Sequence, residues 1–190
     1  MNLLSRSPKE MTLFYTRRGD KGESSIGGKK YPKDSSIVEA LGDLDELNSL
    51  LGVVKTQIRK SRLAEKLEVI QENLFIVQAR VAWLMYPKFP SPQMTKEKIK
   101  AMEQEINVIE KKIQPARGFI ISGSDSVASW LDMLRAVSRR AERRVVKLHR
   151  TRALPQEILT YLNRLSSYLY ALARAEVAVK KIQEPRPVYK

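Results

Sequence analysis

The chain has 190 residues, 43% of them hydrophobic and 29% charged, with 35 Lys and Arg against 21 Asp and Glu, no cysteine and a formal net charge of +14. That size and composition describe one soluble domain, 1–190, with a single core burying roughly 70% of the unfolded surface, and the missing cysteine excludes disulfides and thiolate metal sites. Even "FIVQARVAWLMY" is broken by Gln78 and Arg80 and no secretory leader opens the chain, so a membrane span is excluded and the expected location is cytoplasmic.

Residues 1–34 read as a tail followed by a polar loop, and Met11 before "TLFYTRRGD" makes the first ten residues a dispensable segment. From Tyr15 to Ser25, "YTRRGDKGESS" holds two glycines and no apolar period. A plain turn accounts for it. The sharper alternative is a phosphate cradle, in which glycines expose backbone N–H groups while Thr16, Lys21, Ser24 and Ser25 add hydroxyls and a cation. The complete P-loop pattern is absent.

Residues 35–183 read as a bundle of five helices, each with apolar residues three and four apart. The first runs from about Ser35 to Lys60, with Leu44, Leu47, Leu51, Val54 and Ile58 in its stripe; the second carries Leu63, Leu67, Ile70, Leu74, Val77, Val81 and Leu84. "YPKFPSPQ" then breaks the chain, and a third helix opens near Thr95, an N-cap candidate, with Ile99, Met102, Ile106, Ile109 and Ile113 aligned. "ARGFIISGSDS" is an extended connector. The fourth helix aligns Val127, Leu131, Leu134, Ser138, Ala141, Val145 and Leu148; the fifth, after Pro155, aligns Ile158, Leu162, Leu165, Leu169 and Leu172. The repeat near 3.5 is that of left-handed bundles. The last residues, 184–190, read as a frayed tail.

The positive excess suits a polyanion, whether nucleic acid, an anionic membrane surface or a small polyphosphate. It is concentrated in the fourth helix, where residues 135–152 carry eight Arg or Lys against the single acid Glu142. At about 100° per residue, with Arg135 at zero, Arg139 falls near +40° and Glu142 near −20°, beside the apolar stripe at about −90°. Arg140, Arg144 and Lys147 point between about +120° and 180°, a solvated face. Charges flanking a packing seam need partners, because an unpaired desolvated charge costs several kcal/mol. Structural ion pairs and a bound ligand both satisfy that need.

Taken together and in order, "YTRRGDKG", "GDLDELNSLLG", "RGFIISGS", "RAVSRRAERRVV" and "YLNRLSSYLYALAR" resemble the PduO-type ATP:cob(I)alamin adenosyltransferases over roughly Tyr15 to Arg174. The resemblance implies an all-α five-helix bundle with an extended N-terminal nucleotide-binding loop, assembled as a homotrimer with ATP and the corrinoid between neighbouring subunits. On matching positions, Thr16, Arg17, Gly19, Asp20, Lys21, Gly22, Ser24 and Lys33 become ATP-binding candidates, joined by Arg139, Glu142 and Asn163 from the helices. Glu142 is the candidate Mg²⁺ ligand. Phe119 matches an aromatic that blocks the lower face of the corrin, for which plain core packing is the alternative, and Asp45 matches an acid that pairs with the neighbour's Arg135. The implied catalytic set is Arg139, Phe119, Asp45 and Arg135. A cobalamin reductase and an adenosylcobalamin-dependent enzyme are the implied further partners.

Such chemistry needs no side-chain nucleophile, because reduced cobalt itself attacks C5′ of ATP, leaving the lone His149 without a catalytic duty. The sequence departs from the family pattern at Arg18, at Glu23 and Ser24, at "ISGS", at Asp132 in place of a histidine, and at Ser167 in place of an aspartate. A nucleotide- or corrinoid-binding paralogue with weak turnover is therefore one alternative reading. A basic helical nucleic-acid-binding protein is another, disfavoured because no aromatics interleave the basic run.

Overall fold

Each of the five apolar stripes folds as a helix and turns its stripe inward. The computed structural model describes residues 15, 17, 19–26, 28–58, 61–88, 90–113 and 118–189. The helices are α1 (Ser36–Gln57), α2 (Arg62–Trp83), α3 (Lys96–Ile113), α4 (Ser126–His149) and α5 (Gln156–Val179). Leu44, Leu47, Leu51 and Val54 of α1, Leu67, Leu74 and Val77 of α2, Leu131, Leu134 and Ala141 of α4, and Leu162, Leu165 and Leu169 of α5 are fully buried in one core. α4 packs against α1 and α5, α2 against α1, and α3 against α5, and Lys66 of α2 pairs with Glu105 of α3. No helix among the described residues is long and apolar enough to cross a membrane.

Local chemistry sets the helix ends. Ser61 Oγ accepts the Ala64 N–H at 3.1 Å and Asp125 Oδ1 accepts the Ala128 N–H at 3.0 Å, satisfying donors that the first turn leaves open. The first helix stops at Gln57, short of the expected Lys60, with Ile58 as its cap; residue 60 lies outside the described residues. α3 opens directly after Thr95, as its sequence indicates. Only its first half is core: Ile99 and Met102 are buried, while Ile106 and Ile109 are half-covered.

Two expectations are corrected. The N-terminal loop contains an antiparallel hairpin, β1 (Glu23–Ile26) and β2 (Lys29–Pro32), with Ser24 opposite Tyr31 and a Lys30–Glu23 ion pair of 2.8 Å across it. The strands are four residues each and lack a period long enough to stand out in the sequence. The segment after α5 is also docked at its start: Glu184 pairs with Arg174, and the Pro185 carbonyl accepts the Ile121 N–H at 2.8 Å.

Candidate functional site

The half-covered stretch of α3 leaves a gap that becomes a cleft. Ile106, Ile109 and Ile113 form one wall, Phe119 and Ile120 of the connector stand at the edge, and Asp132, Arg135, Arg139, Ser166, Ser167, Tyr170 and Arg174 complete it from α4 and α5, around a volume of ≈ 580 Å³. Phe119 is 78% exposed, so the core-packing alternative is removed: its ring sits at an open apolar cleft, not in the core. The Tyr170 ring lies under two guanidinium groups, 5.0 Å from Arg174 and 6.0 Å from Arg135.

Further along α4 a second cleft of ≈ 520 Å³ is lined by Arg139, Glu142, Arg143, Val146, Lys147, Arg150 and Asn163. Four of those residues are cations, Arg139, Arg143, Lys147 and Arg150, and they face one carboxylate, Glu142. Asn163 Nδ2 donates to Glu142 Oε1 at 3.0 Å, and Arg164 donates to Asn163 Oδ1 at 2.8 Å, which fixes the amide with its nitrogen toward the carboxylate. Arg139 lines both clefts. Helix geometry thus puts Arg135 and Arg139 in the larger cleft and Arg139 and Glu142 in the smaller, where Asn163 of α5 joins them.

The same geometry corrects the reading of the opposite side of α4. Arg140, Arg144 and Lys147 are not merely solvated. Arg140 pairs with Glu46 and lies 3.5 Å from Asp43, Arg144 bonds Glu39 at 3.0 Å and lies 3.5 Å from Asp43, and Lys147 is 3.8 Å from Glu39. The reason is the neighbour: α1 presents its acids along α4, a fact that the charge pattern of α4 alone does not contain. The Arg140 guanidinium is raised above its ordinary range, first by its hydrogen bond to Glu46.

The loop candidates form a separate, tight unit. Gly22 takes φ +76°, a conformation glycine adopts without strain; its N–H donates to Gly19 O at 3.2 Å and its carbonyl accepts the Lys33 N–H at 2.9 Å. A Cβ on Gly19 would stand 3.2 Å from Lys33 Nζ, so that ammonium lies close over the glycine. Asp20 and Lys21 are exposed, Ser24 is half-covered in β1, and Arg17 (φ 58°) reaches Tyr15 Oη at 3.4 Å. Thr16 and Arg18 lie outside the described residues. The hairpin is anchored by Tyr31, whose hydroxyl donates to Met85 O at 3.4 Å and whose ring faces Arg152 at 5.8 Å. Within the loop Gly19, Gly22 and Lys33 bond one another through the backbone, and Glu142 and Asn163 bond one another in the smaller cleft.

Asp45 is exposed on α1 and Asn48, one turn on, is buried. Two departures have consequences. Asp132 is buried and bonds Arg174 at 2.6 Å, with Arg135 at 3.9 Å, so it supplies a carboxylate to the larger cleft. Ser167 leaves α5 without one. Sequence reasoning missed Tyr170 and Arg174; their position three and seven residues beyond Ser167 on one helix face was the available signal. His149 is structural, its Nδ1 accepting the Leu154 N–H at 3.0 Å.

The cobalamin adenosyltransferase family model matches residues 14–176. The corrinoid adenosyltransferase PduO of Salmonella typhimurium is 39% identical over 167 residues, 86% of this chain and 49% of that protein; the chain thus spans about half that relative's length. The corrinoid adenosyltransferase of Bacillus subtilis is 35% identical over 165 residues, 85% of this chain and 84% of that protein. Among solved structures, a variant of the PduO-type ATP:corrinoid adenosyltransferase from Lactobacillus reuteri, complexed with cobalamin and ATP, superposes with a TM-score of 0.86 at 30% identity, covering 92% of this chain and 99% of that one.

Proposed function

From a chain that belongs to the cobalamin adenosyltransferase family, we infer an enzyme that transfers the 5′-deoxyadenosyl group of ATP to the reduced cobalt of cob(I)alamin, releasing triphosphate and forming adenosylcobalamin. The observation that carries this reading is Arg139, standing where an apolar-walled cleft meets a basic one. The macrocycle would rest against Ile106, Ile109 and Phe119, and the triphosphate against Arg139, Arg143 and Arg150.

The reaction asks little covalent chemistry of the protein. The cobalt electron pair forms the Co–C5′ bond while the C5′–O bond breaks, and the electrons of the broken bond leave on triphosphate. Arg139 and its neighbours stabilise that growing charge, and the two clefts hold the reactants in line. Phe119, at the edge of the larger cleft, would displace the lower axial ligand and so ease the preceding reduction of cobalt from the +2 state. Glu142 would hold Mg²⁺: one of its oxygens accepts from Asn163 and the other accepts no hydrogen bond among the described residues, a donor set that suits an ion held mainly by phosphate oxygens. When bound, that ion supplies further charge neutralisation on the leaving group.

The loop, with Lys21 and Lys33, completes the ATP site from a neighbouring subunit of a homotrimer. Two features support this. The loop is anchored at Met85 and Arg152, with Lys21 exposed, and α2 exposes Val69 and Phe75, apolar surface available to an interface. A cobalamin reductase upstream, an adenosylcobalamin-dependent enzyme downstream and a cytoplasmic location belong to the same reading.

The test is incubation with ATP, Mg²⁺ and chemically reduced cobalamin, following the visible spectrum. Conversion to the adenosylated form is the expected result, and no conversion overturns the reading. Ser167, which leaves α5 without a carboxylate at the cleft, favours one second reading: a nucleotide- and corrinoid-binding relative, which would bind both ligands without that conversion.

A further inference from the structure

The chain beyond α5 is led back onto the bundle by a specific turn. Lys181 takes φ 55°, its N–H donates to Ala178 O at 3.1 Å, and the Ile182 N–H donates to Val177 O at 3.1 Å. These are the paired bonds of a Schellman cap, and Ile182 adds the apolar contact that accompanies one by packing on the core. The reversal delivers Glu184 to Arg174, a guanidinium only 6% exposed that also bonds Asp132 Oδ2 at 2.6 Å. The next residue, Pro185, accepts the Ile121 N–H at 2.8 Å. Ile121 lies two residues after Phe119 in the connector at the rim of the larger cleft.

We propose that Glu184 is a positioning residue for the corrinoid: by holding the tail to Arg174 it straps the connector in place and sets where Phe119 stands. The proposal rests on the reading of the larger cleft as the corrinoid site. Charge explains why a carboxylate is needed. Arg174 sits in a cleft wall with Arg135 nearby, and two carboxylates, Asp132 and Glu184, balance the two guanidinium groups. Charge-assisted bonds of this kind hold geometry more firmly than neutral ones. Removing Glu184 leaves Arg174 its bond to Asp132, so no charge is stranded in the core and the bundle stays folded.

The experiment compares the full-length protein with Glu184→Ala and Glu184→Gln by hydrogen exchange over residues 118–125 and by steady-state kinetics with cobalamin and ATP varied separately. In Glu184→Ala the Ile121 amide should exchange at least about tenfold faster. KM for cobalamin should rise at least about threefold while KM for ATP and the melting temperature hold, with Glu184→Gln, which keeps an acceptor, in between. Unchanged exchange at Ile121 overturns the strap, whatever the activity. Faster exchange with an unchanged KM for cobalamin, or equal rises in both KM values, overturns the positioning role. A wild-type protein that does not adenosylate cobalamin removes the corrinoid reading and this role with it, while the exchange measurement still decides whether the strap exists.

Discussion

The two long faces of α4 carry the same residue types and meet different fates. Toward α1, Arg140 and Arg144 are matched by Glu39, Asp43 and Glu46, acids spaced four and three apart on the facing helix. Toward α5, Arg139, Arg143 and Arg150 have no carboxylate ion pair among the described residues and line a cleft instead. The net charge of +14 is therefore a poor guide to binding by itself. What a cation can bind depends on the acids its neighbouring helix brings. Here α1 neutralises one face and α5, with Asn163 and Ser167, leaves the other open to an anion.

The largest expected effect breaks this comparison directly. Arg139→Ala should lower kcat/KM by more than about tenfold, above about 1.4 kcal/mol, because the side chain borders both clefts. Arg144→Ala should leave turnover nearly unchanged and cost about 0–1 kcal/mol of stability, since its pairs are half-exposed. Parallel kinetics and denaturant melts check both, and equal losses of turnover would erase the distinction between the faces.

Next in size is Phe119→Ala. Assays started from the +2 cobalt state should slow at least about fivefold, and assays started from cob(I)alamin less than about twofold, because the proposed role of the ring precedes alkyl transfer. With the ring 78% exposed, its removal opens no core cavity and the melting temperature should hold. Equal slowing in the two assays would leave Phe119 no role in reduction.

What the sequence made legible follows the same division. The five helices were readable because each carries its own period: Leu44, Leu47, Leu51 and Val54 are apolar and buried for the same reason. The cleft residues of α4 were readable because Arg135, Arg139 and Glu142 share an angular sector. Pairings between elements were not. Nothing local to "SRRAERRVVK" says that Glu39 and Asp43 lie opposite, and nothing in "QEPRPVYK" says that Glu184 meets a guanidinium ten residues earlier. Asp132 is the mixed case: visible as a departure, but its bond to Arg174 spans two helices.

The start of α4 gives a smaller, titratable contrast. Asp125 caps the helix and bonds Lys180 at 2.6 Å. Burial is the largest single influence on its carboxyl and acts upward, but the bonds from Lys180 and the Ala128 amide outweigh it, so the carboxyl is held below its usual range. A lowered folded value means that the stabilisation is fully present above the unfolded value of about 4 and is lost as pH falls below it. Asp125→Ala should cost about 1 kcal/mol at neutral pH. The gap between wild type and variant in urea melts should narrow toward pH 3; a constant gap would show that the charge plays no part.

The smallest effect concerns the one acid of the α1 cluster that turns away from α4. Asp43 and Glu46 are used within the chain, whereas Asp45 is exposed and forms no ion pair among the described residues. Arg135, on the opposite face of α4, stands over the Tyr170 ring, approaches Asp132 at 3.9 Å and has an Nε without a hydrogen bond among the described residues. In the proposed trimer the two meet across the subunit boundary, extending between chains the pairing that α1 and α4 make within one. Asp45→Asn and Arg135→Ala should each weaken assembly, and a double-mutant cycle should give a coupling of at least about 0.5 kcal/mol. Mixed subunits carrying Asp45→Arg and Arg135→Asp should recover part of the lost association, because the reversed charges again face their opposites. Light scattering across a dilution series reads both results. Strictly additive losses with unchanged assembly would show that the residues do not meet, and Arg135 would then belong to the larger cleft alone.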